Sequence, residues 1–200
     1  MKSSEQDRAD IQAERAAFIE WMGTVDPRRV KVIDESGLVR GLRLGYGYAP
    51  RGERVYDSAP LRRGKRLNMV GWMGFDGSGA VATHPGTVNA PIFRGFVLAH
   101  LLPALKPGDI VIWDNHRIHA AEGLKAQIEA RGAELKPLPR YSPDLNPIEL
   151  LWSKLKHFIK KARADTAEAL EQAVETAVAL VCGADARGWF EHCGFCLQLE

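Results

Sequence analysis

Three acidic side chains stand where their oxygens could serve metal-dependent chemistry. Asp34 follows the apolar run VKVI, Asp114 follows IVIW, and Glu149 lies in the first turn of the helix that SPDLNPIELLW announces. Carboxylates at strand ends face the crevice in which α/β sheets hold ligands, and one at a helix start can lean into that crevice from the side. Hard divalent cations favour such oxygens. Mg²⁺ takes one or two carboxylates with substrate phosphate and water, and two ions about 4 Å apart stabilise both the attacking and the leaving oxygen of phosphoryl transfer. Each residue also has a plainer reading. Asp34 in DESG could open a turn, and Asp114 in DNH could cap the following segment. Asn146-Pro147-Ile148-Glu149 has the form of a capping box, with Asn146 as N-cap and Glu149 at N3.

Helical geometry adds something that capping does not require. At about 100° per residue, Ile148, Leu151, Trp152, Leu155, Phe158 and Ile159 form an apolar stripe, and on its flank Glu149 aligns with Ser153, Lys156 and Lys160. A carboxylate followed by two lysines along one edge suits a metal-bound phosphate whose backbone runs onward. A second basic region lies earlier. The net charge is only +2, yet residues 28–66 hold eleven basic against four acidic groups, a local +7. There Arg40, Arg43, Arg51, Arg54 and the cluster Arg62, Arg63, Lys65 and Arg66 are interspersed with Tyr46, Tyr48 and Tyr56. Such a mixture suits phosphate contact with stacking beside it, or simply a solvated hairpin.

These groups need a frame. The chain has 200 residues, 46% apolar and 26% charged, an ordinary globular composition. No run approaches the roughly 18 apolar residues of a membrane span, and the first twenty residues alternate charge where a signal peptide would be apolar, so a cytoplasmic protein is expected. Cys182, Cys193 and Cys196 all fall near the end, which excludes a disulfide framework, and one CxxC falls short of the four ligands of structural zinc. Dinucleotide and P-loop readings fail too, since LGYGYAP leads into strand-like residues and no Gly-Lys-Ser/Thr follows a strand.

Residues 4–22 read as an amphipathic helix with Ile11, Phe18, Ile19 and Met22 on its inner face, stopped by Gly23 and Asp26-Pro27. RRVKVIDESG, GLRLGYGYA and KRLNMVGWMGFDG read as three strands of an antiparallel meander. A helix over 93–105, a buried strand IVIW, a helix over 120–131, a short strand at 134–138, a long helix over 147–163 and a helix from a Thr166 cap to Val181 complete the order. Strands and helices in this order predict an α/β fold, a mixed sheet of antiparallel meander plus parallel strands flanked by helices.

Together, VIDESG, VIWDNHRIHA and LPRYSPDLNPIELLWSKLK resemble the catalytic domain of DDE-type insertion-sequence transposases of the mariner superfamily over about residues 28–163. That family has an aspartate on the first strand, Asp-Asn with a nearby His on a later strand, and a Pro-x-Tyr-Ser-Pro-x-Leu-Asn-Pro-Ile-Glu signature; 34 residues separate its second and third acids, as they separate Asp114 from Glu149. The resemblance implies a ribonuclease H-like fold and Asp34, Asp114 and Glu149 as a triad binding Mg²⁺ or Mn²⁺, two ions in all. It casts Asn115, His119 and Asn146 as supporting residues. It implies cleavage of element ends and 3′-hydroxyl strand transfer into target DNA, with Arg62, Arg63, Lys65, Arg66, Lys156 and Lys160 as candidate DNA contacts. Residues 1–27 then form an N-terminal helical segment, 28–163 the catalytic domain, and 164–200 a C-terminal helix and tail packed upon it.

One helix precedes the first strand, where complete members of the family carry a helix-turn-helix region. The expected partners are therefore DNA, a separately encoded helix-turn-helix half and, compatibly, a second copy in a homodimer, in a bacterial cytoplasm and at the nucleoid when DNA is bound. A non-catalytic remnant that binds DNA, or a stand-alone ribonuclease H-like nuclease, uses the same residues and competes with this reading.

Overall fold

The computed structural model describes residues 4–61, 66–116, 118–119 and 123–197. Five strands form one sheet in the order β3-β2-β1-β4-β5, where β1 is Val30–Leu38, β2 Leu67–Gly74, β3 Gly79–Pro85, β4 Ile110–Trp113 and β5 Glu134–Pro137. β1, β2 and β3 pair antiparallel, whereas β4 runs parallel to both β1 and β5. This is the mixed sheet the sequence predicts, although the meander uses different strands. GLRLGYGYA is no strand: residues 39–61 have no helix or strand, and β3 takes the third place. Glycines at 41, 45 and 47 supply no side chain to pack, which weakens any strand through them.

Two cores sandwich the sheet, because successive residues of a strand face opposite ways. Val30 and Val32 of β1, Met69 and Met73 of β2, and Ile110 and Ile112 of β4 face one core, shared with α1 (Ala9–Met22), α4 (Ile148–Ala162), α5 (Ala167–Ala179) and α6 (Gly183–His192). Ile33, Val70, Trp72, Val111 and Trp113 face the other, covered by α2 (Ala90–Phe96) and α3 (Leu124–Ala130). The α2 path continues as one π turn at Val97–Leu101 and a 3₁₀ turn at Leu102–Ala104, filling the 93–105 stretch expected to be helical. Central strands buried on both faces explain the unbroken apolar runs VKVI and IVIW.

The helices follow their signals with a few differences. Thr166 caps α5 by accepting from the Ala169 N–H at 3.1 Å. In α1, Ile11, Phe18 and Met22 are buried, but Ile19 is half exposed and does not belong to the inner face. α6 was not anticipated; it seats Phe190 in the first core, with buried Cys193 just past its end, while Cys182 and Cys196 are exposed. Among the described residues no helix is long and apolar enough to cross a membrane.

Candidate active site

β1 pairs with β4 only through Val30–Val32, opposite Ile110–Ile112. Asp34 therefore does not end its strand, as the sequence suggested. It sits in mid-strand, still paired with Gly71 of β2, at the point where β4 has run out. Continuing the parallel register sets Asp34 beside Asp114, the residue after β4. Alternation along β1 then divides two neighbours. Asp34 faces α4, while Glu35 faces the α2 side.

Asp34, Asp114 and Glu149 line one open cavity of about 400 Å³, with Asn115, Tyr141 and Asn146 also on its wall. Trp152, one turn along α4 from Glu149, donates its indole N–H to Asp34 Oδ2 at 3.2 Å. Gly71 makes this approach feasible, because a Cβ there would stand 2.6 Å from the Trp152 ring. Burial pushes the Asp34 carboxyl up to about 7, reinforced by the charges of Glu149, Glu35 and Asp114 and only partly offset by the Glu35 N–H. Glu149 is also raised, by burial and by Asp114, against the pull of Lys156.

Asp114 behaves in the opposite way. Burial would raise it, but the hydrogen bonds from His119 and from the His116 N–H outweigh that and hold it below the ordinary carboxylate range. His119 is almost wholly buried, with its ring 4.4 Å from that of Phe93. Its Nδ1 meets Asp114 Oδ1 at 2.7 Å and its Nε2 meets Glu35 Oε1 at 2.9 Å. Burial disfavours charge on the ring, yet the two carboxylates prevail and lift it to about 10, so the imidazolium donates to both. His119 thus ties the end of β4 to the far face of β1.

The rim of the cavity is fastened from α1. Arg15 donates to both oxygens of Asp144 at 2.9 and 2.6 Å, and Arg140 pairs with Asp10 and Glu14 at 3.0 and 2.6 Å. Gln6 donates to the Tyr141 carbonyl, and Tyr141 itself has φ 55°, a left-handed conformation uncommon outside glycine. Asn115 Nδ2 donates to the Leu138 carbonyl at 2.9 Å, joining the ends of β4 and β5.

The capping box does not form. Asn146 has extended dihedrals and its carbonyl accepts the Glu149 N–H, as a cap would, but its side-chain oxygen has no partner although the residue is only 2% exposed. Pro147 is already helical and α4 has no side-chain cap. Of the basic residues singled out, Lys156 acts on Glu149, and Lys160 lies farther along α4 against the 39–61 segment. Arg66 instead lies against Gly37, at a small cavity shared with Arg40 and Leu170 and apart from the acids. Arg62, Arg63 and Lys65 lie outside the described residues, as do residues 120–122 at the start of the helix expected there.

Glu35, Gly71 and the Trp152 N–H escaped the sequence reading. Gly71 did carry a signal, since a glycine inside a strand often marks a close approach. Among the described residues, no three His, Cys, Asp or Glu side chains are gathered tightly enough to hold a metal ion as they stand. The donor chemistry suits a hard cation all the same. Three carboxylates face one cavity, and two of them resist ionisation through burial and mutual repulsion that a cation would relieve.

Residues 29–171 match a family model described as DDE superfamily endonuclease. In fold the chain is similar to the Mos1 strand transfer complex, with a TM-score of 0.72 and 19% identity over 97% of this chain and 60% of that one. The mariner Mos1 paired end complex with Mg gives 0.71 and 19% over 92% and 57%. The catalytic domain of Mos1 mariner transposase gives 0.64 and 16% over 97% and 91%, and its ribonuclease H-like architecture is the one seen here. The chain spans about 60% of the longer Mos1 chains it matches. No curated protein matches the sequence.

Proposed function

Because the chain belongs to the DDE superfamily endonucleases, we propose that it is the catalytic domain of a mariner-superfamily DNA transposase, a metal-dependent nuclease and strand transferase. The observation that carries this reading is the convergence of Asp34, Asp114 and Glu149 on one cavity from a strand, a strand end and a helix start. These three residues would hold Mg²⁺ or Mn²⁺. When bound, two such ions neutralise the phosphoryl oxygens and favour the attacking and leaving oxygens of an in-line displacement.

The chain's own residues position the reactants. Trp152 fixes one oxygen of Asp34, and His119, anchored on Glu35, fixes one oxygen of Asp114. Each acid thus presents its remaining oxygen to the cavity without further loss of rotamer freedom. Lys156 balances Glu149 and extends the positive edge along which a DNA backbone would run. Water attacks phosphorus at the element end and the leaving oxygen departs as a 3′-hydroxyl; that hydroxyl then attacks a target phosphate, exchanging one phosphodiester for another. No covalent enzyme intermediate is needed, since positioning and charge neutralisation suffice for phosphoryl transfer.

We place the catalytic unit at 28–163, with 164–200 packed on it and 1–27 as a helical brace. DNA ends and target DNA would be its substrates, with a second copy in a homodimer and a bacterial cytoplasm as its setting. The experiment is a cleavage assay on DNA carrying the element's ends, with Mg²⁺, Mn²⁺ or EDTA. Metal-dependent nicking by the wild type and none by Asp114→Asn is expected. Equal products from the two proteins would refute the assignment, and absence of cleavage by the wild type in either metal would favour a DNA-binding remnant.

A further inference from the structure

A second cavity, of about 520 Å³, opens beside the C-terminal half of α4. Lys160, Lys161 and Arg163 form one wall, and Tyr46, Tyr48 and Tyr56 of the irregular 39–61 segment line the other. The three rings are 62%, 95% and 84% exposed. Tyr46 and Tyr48 meet edge to face at 6.4 Å, which leaves the Tyr48 ring open to solvent.

The segment is tied at its base. Arg43 donates to the Ser58 carbonyl at 2.8 Å and to both oxygens of Asp165 at 2.9 and 3.0 Å, and Arg163 pairs with Asp57. Val55 packs over Gly47, where a Cβ would stand 2.8 Å from it. Asp57, the acid that lines the groove, is thereby matched by Arg43 and Arg163. Among the described residues, Lys160 and Lys161 have no ion-pair partner.

Neighbouring solvent-facing aromatic rings on an anchored base mark an interaction surface more than a solvated turn. Rings interleaved with lysines match one class of ligand in particular, a nucleic-acid strand whose phosphates meet the cations while its bases stack on the rings. A duplex keeps its base faces within its own stack, so only unpaired nucleotides can use the tyrosines. Position agrees. Lys160 lies three turns beyond Glu149 on the same flank of α4, about 16 Å at 1.5 Å per residue, with Lys156 between them. That span corresponds to roughly five nucleotides of a stacked strand at about 3.4 Å each.

We infer that this groove binds an unpaired DNA strand, with bases stacked on Tyr48 and Tyr56 and phosphates on Lys160 and Lys161. The path from Glu149 to the groove rests on the transposase reading; the stacking itself does not. In that role the groove would grip single-stranded DNA about five nucleotides from the phosphate being cut.

The test is fluorescence anisotropy with the intact chain in EDTA, where cleavage is silent. Three labelled probes of about 12 nucleotides, within the usual site size of single-strand binders, are compared: a mixed-sequence single strand, the same strand made abasic, and a duplex. The base-bearing strand should bind at least fivefold more tightly than the abasic one. Tyr48→Ala and Tyr56→Ala should each weaken it by about fivefold or more, and Tyr→Phe at either position should retain affinity. Combined Lys160→Ala and Lys161→Ala should flatten the salt dependence. An unchanged melting temperature checks the alanine variants, of which the two tyrosines have exposed side chains. Equal affinity for normal and abasic strands, a preference for duplex, or indifference to the tyrosine variants overturns the inference. So does a change in oligomeric mass without a change in strand affinity, which would make the tyrosines a contact with a second copy. Strand binding that follows these expectations in a protein that never cleaves with Mg²⁺ would sink the catalytic reading and leave the groove standing.

Discussion

Asp34→Asn is expected to make the metal-free protein more stable, and only above acidic pH. The folded state raises the Asp34 carboxyl from its ordinary 3.8 to about 7. Its protonated form therefore favours the fold. Stability from this group is fully present below pH 3.8 and is lost as pH rises toward 7, because the unfolded chain has already released the proton. At about 1.36 kcal/mol per pH unit, the loss above pH 7 is on the order of 4 kcal/mol. Asparagine keeps an oxygen for the Trp152 N–H but carries no charge to desolvate. Urea unfolding in EDTA at pH 4, 6 and 8 should show the variant's advantage growing from near zero to a few kcal/mol, read as the midpoint shift at unchanged slope. Mg²⁺ should then narrow the gap, since a ligand that binds only the folded wild type stabilises it by mass action. A variant no more stable than wild type at pH 8, or one with an equal advantage at pH 4, would show that Asp34 is not the strained group described here.

Asp114→Asn should do the reverse, losing about 1–3 kcal/mol in the same assay: the amide oxygen can still accept from His119, but the negative charge that pairs with the buried imidazolium is gone; removing an acid from this cluster is stabilising only where the acid has no cation beside it. Gly71→Ala should cost about 1–3 kcal/mol by thermal melting, since its Cβ would meet Trp152 at 2.6 Å and the Ala80 carbonyl at 3.2 Å. It should also weaken Mg²⁺ binding measured by calorimetry, by turning Trp152 away from Asp34. Arg15→Ala should cost no more than about 1 kcal/mol, as Asp144 is half exposed, yet it should speed amide exchange through residues 141–146. Arg15 holds the Asp144 carboxyl below its usual range, so the same loosening should appear in the wild type only as pH falls below 3.8.

The sheet and its helices were legible where apolar periodicity was strong. VKVI and IVIW are buried on both faces, and the α4 stripe is buried at Ile148, Leu151, Trp152, Leu155 and Ile159. GLRLGYGYA misled because its aromatics alternate like a strand while pointing into solvent. GAVATHP escaped notice because an edge strand needs few large apolar residues. Positions of the three acids could be argued from strand and helix termini, but Glu35 could not. Its use depends on which face of β1 each residue takes and on His119 reaching it across 84 residues. Asn146 shows the opposite limit, since a local motif predicted a hydrogen bond that the folded site does not make.

The parallel pairing of β1 with β4 joins residue 30 to residue 110, and Glu149 arrives later still. More than a hundred residues separate Asp34 from Glu149, which at about 5–20 residues per second is on the order of ten seconds of translation. During that interval a nascent chain holds one acid, then two, and never the closed set. Contacts so distant in sequence also form late in folding. On the transposase reading proposed above, a centre assembled this way would have an intrinsic delay: a chain that stops short of Glu149 holds an incomplete set of acids, and the full set arrives only with α4.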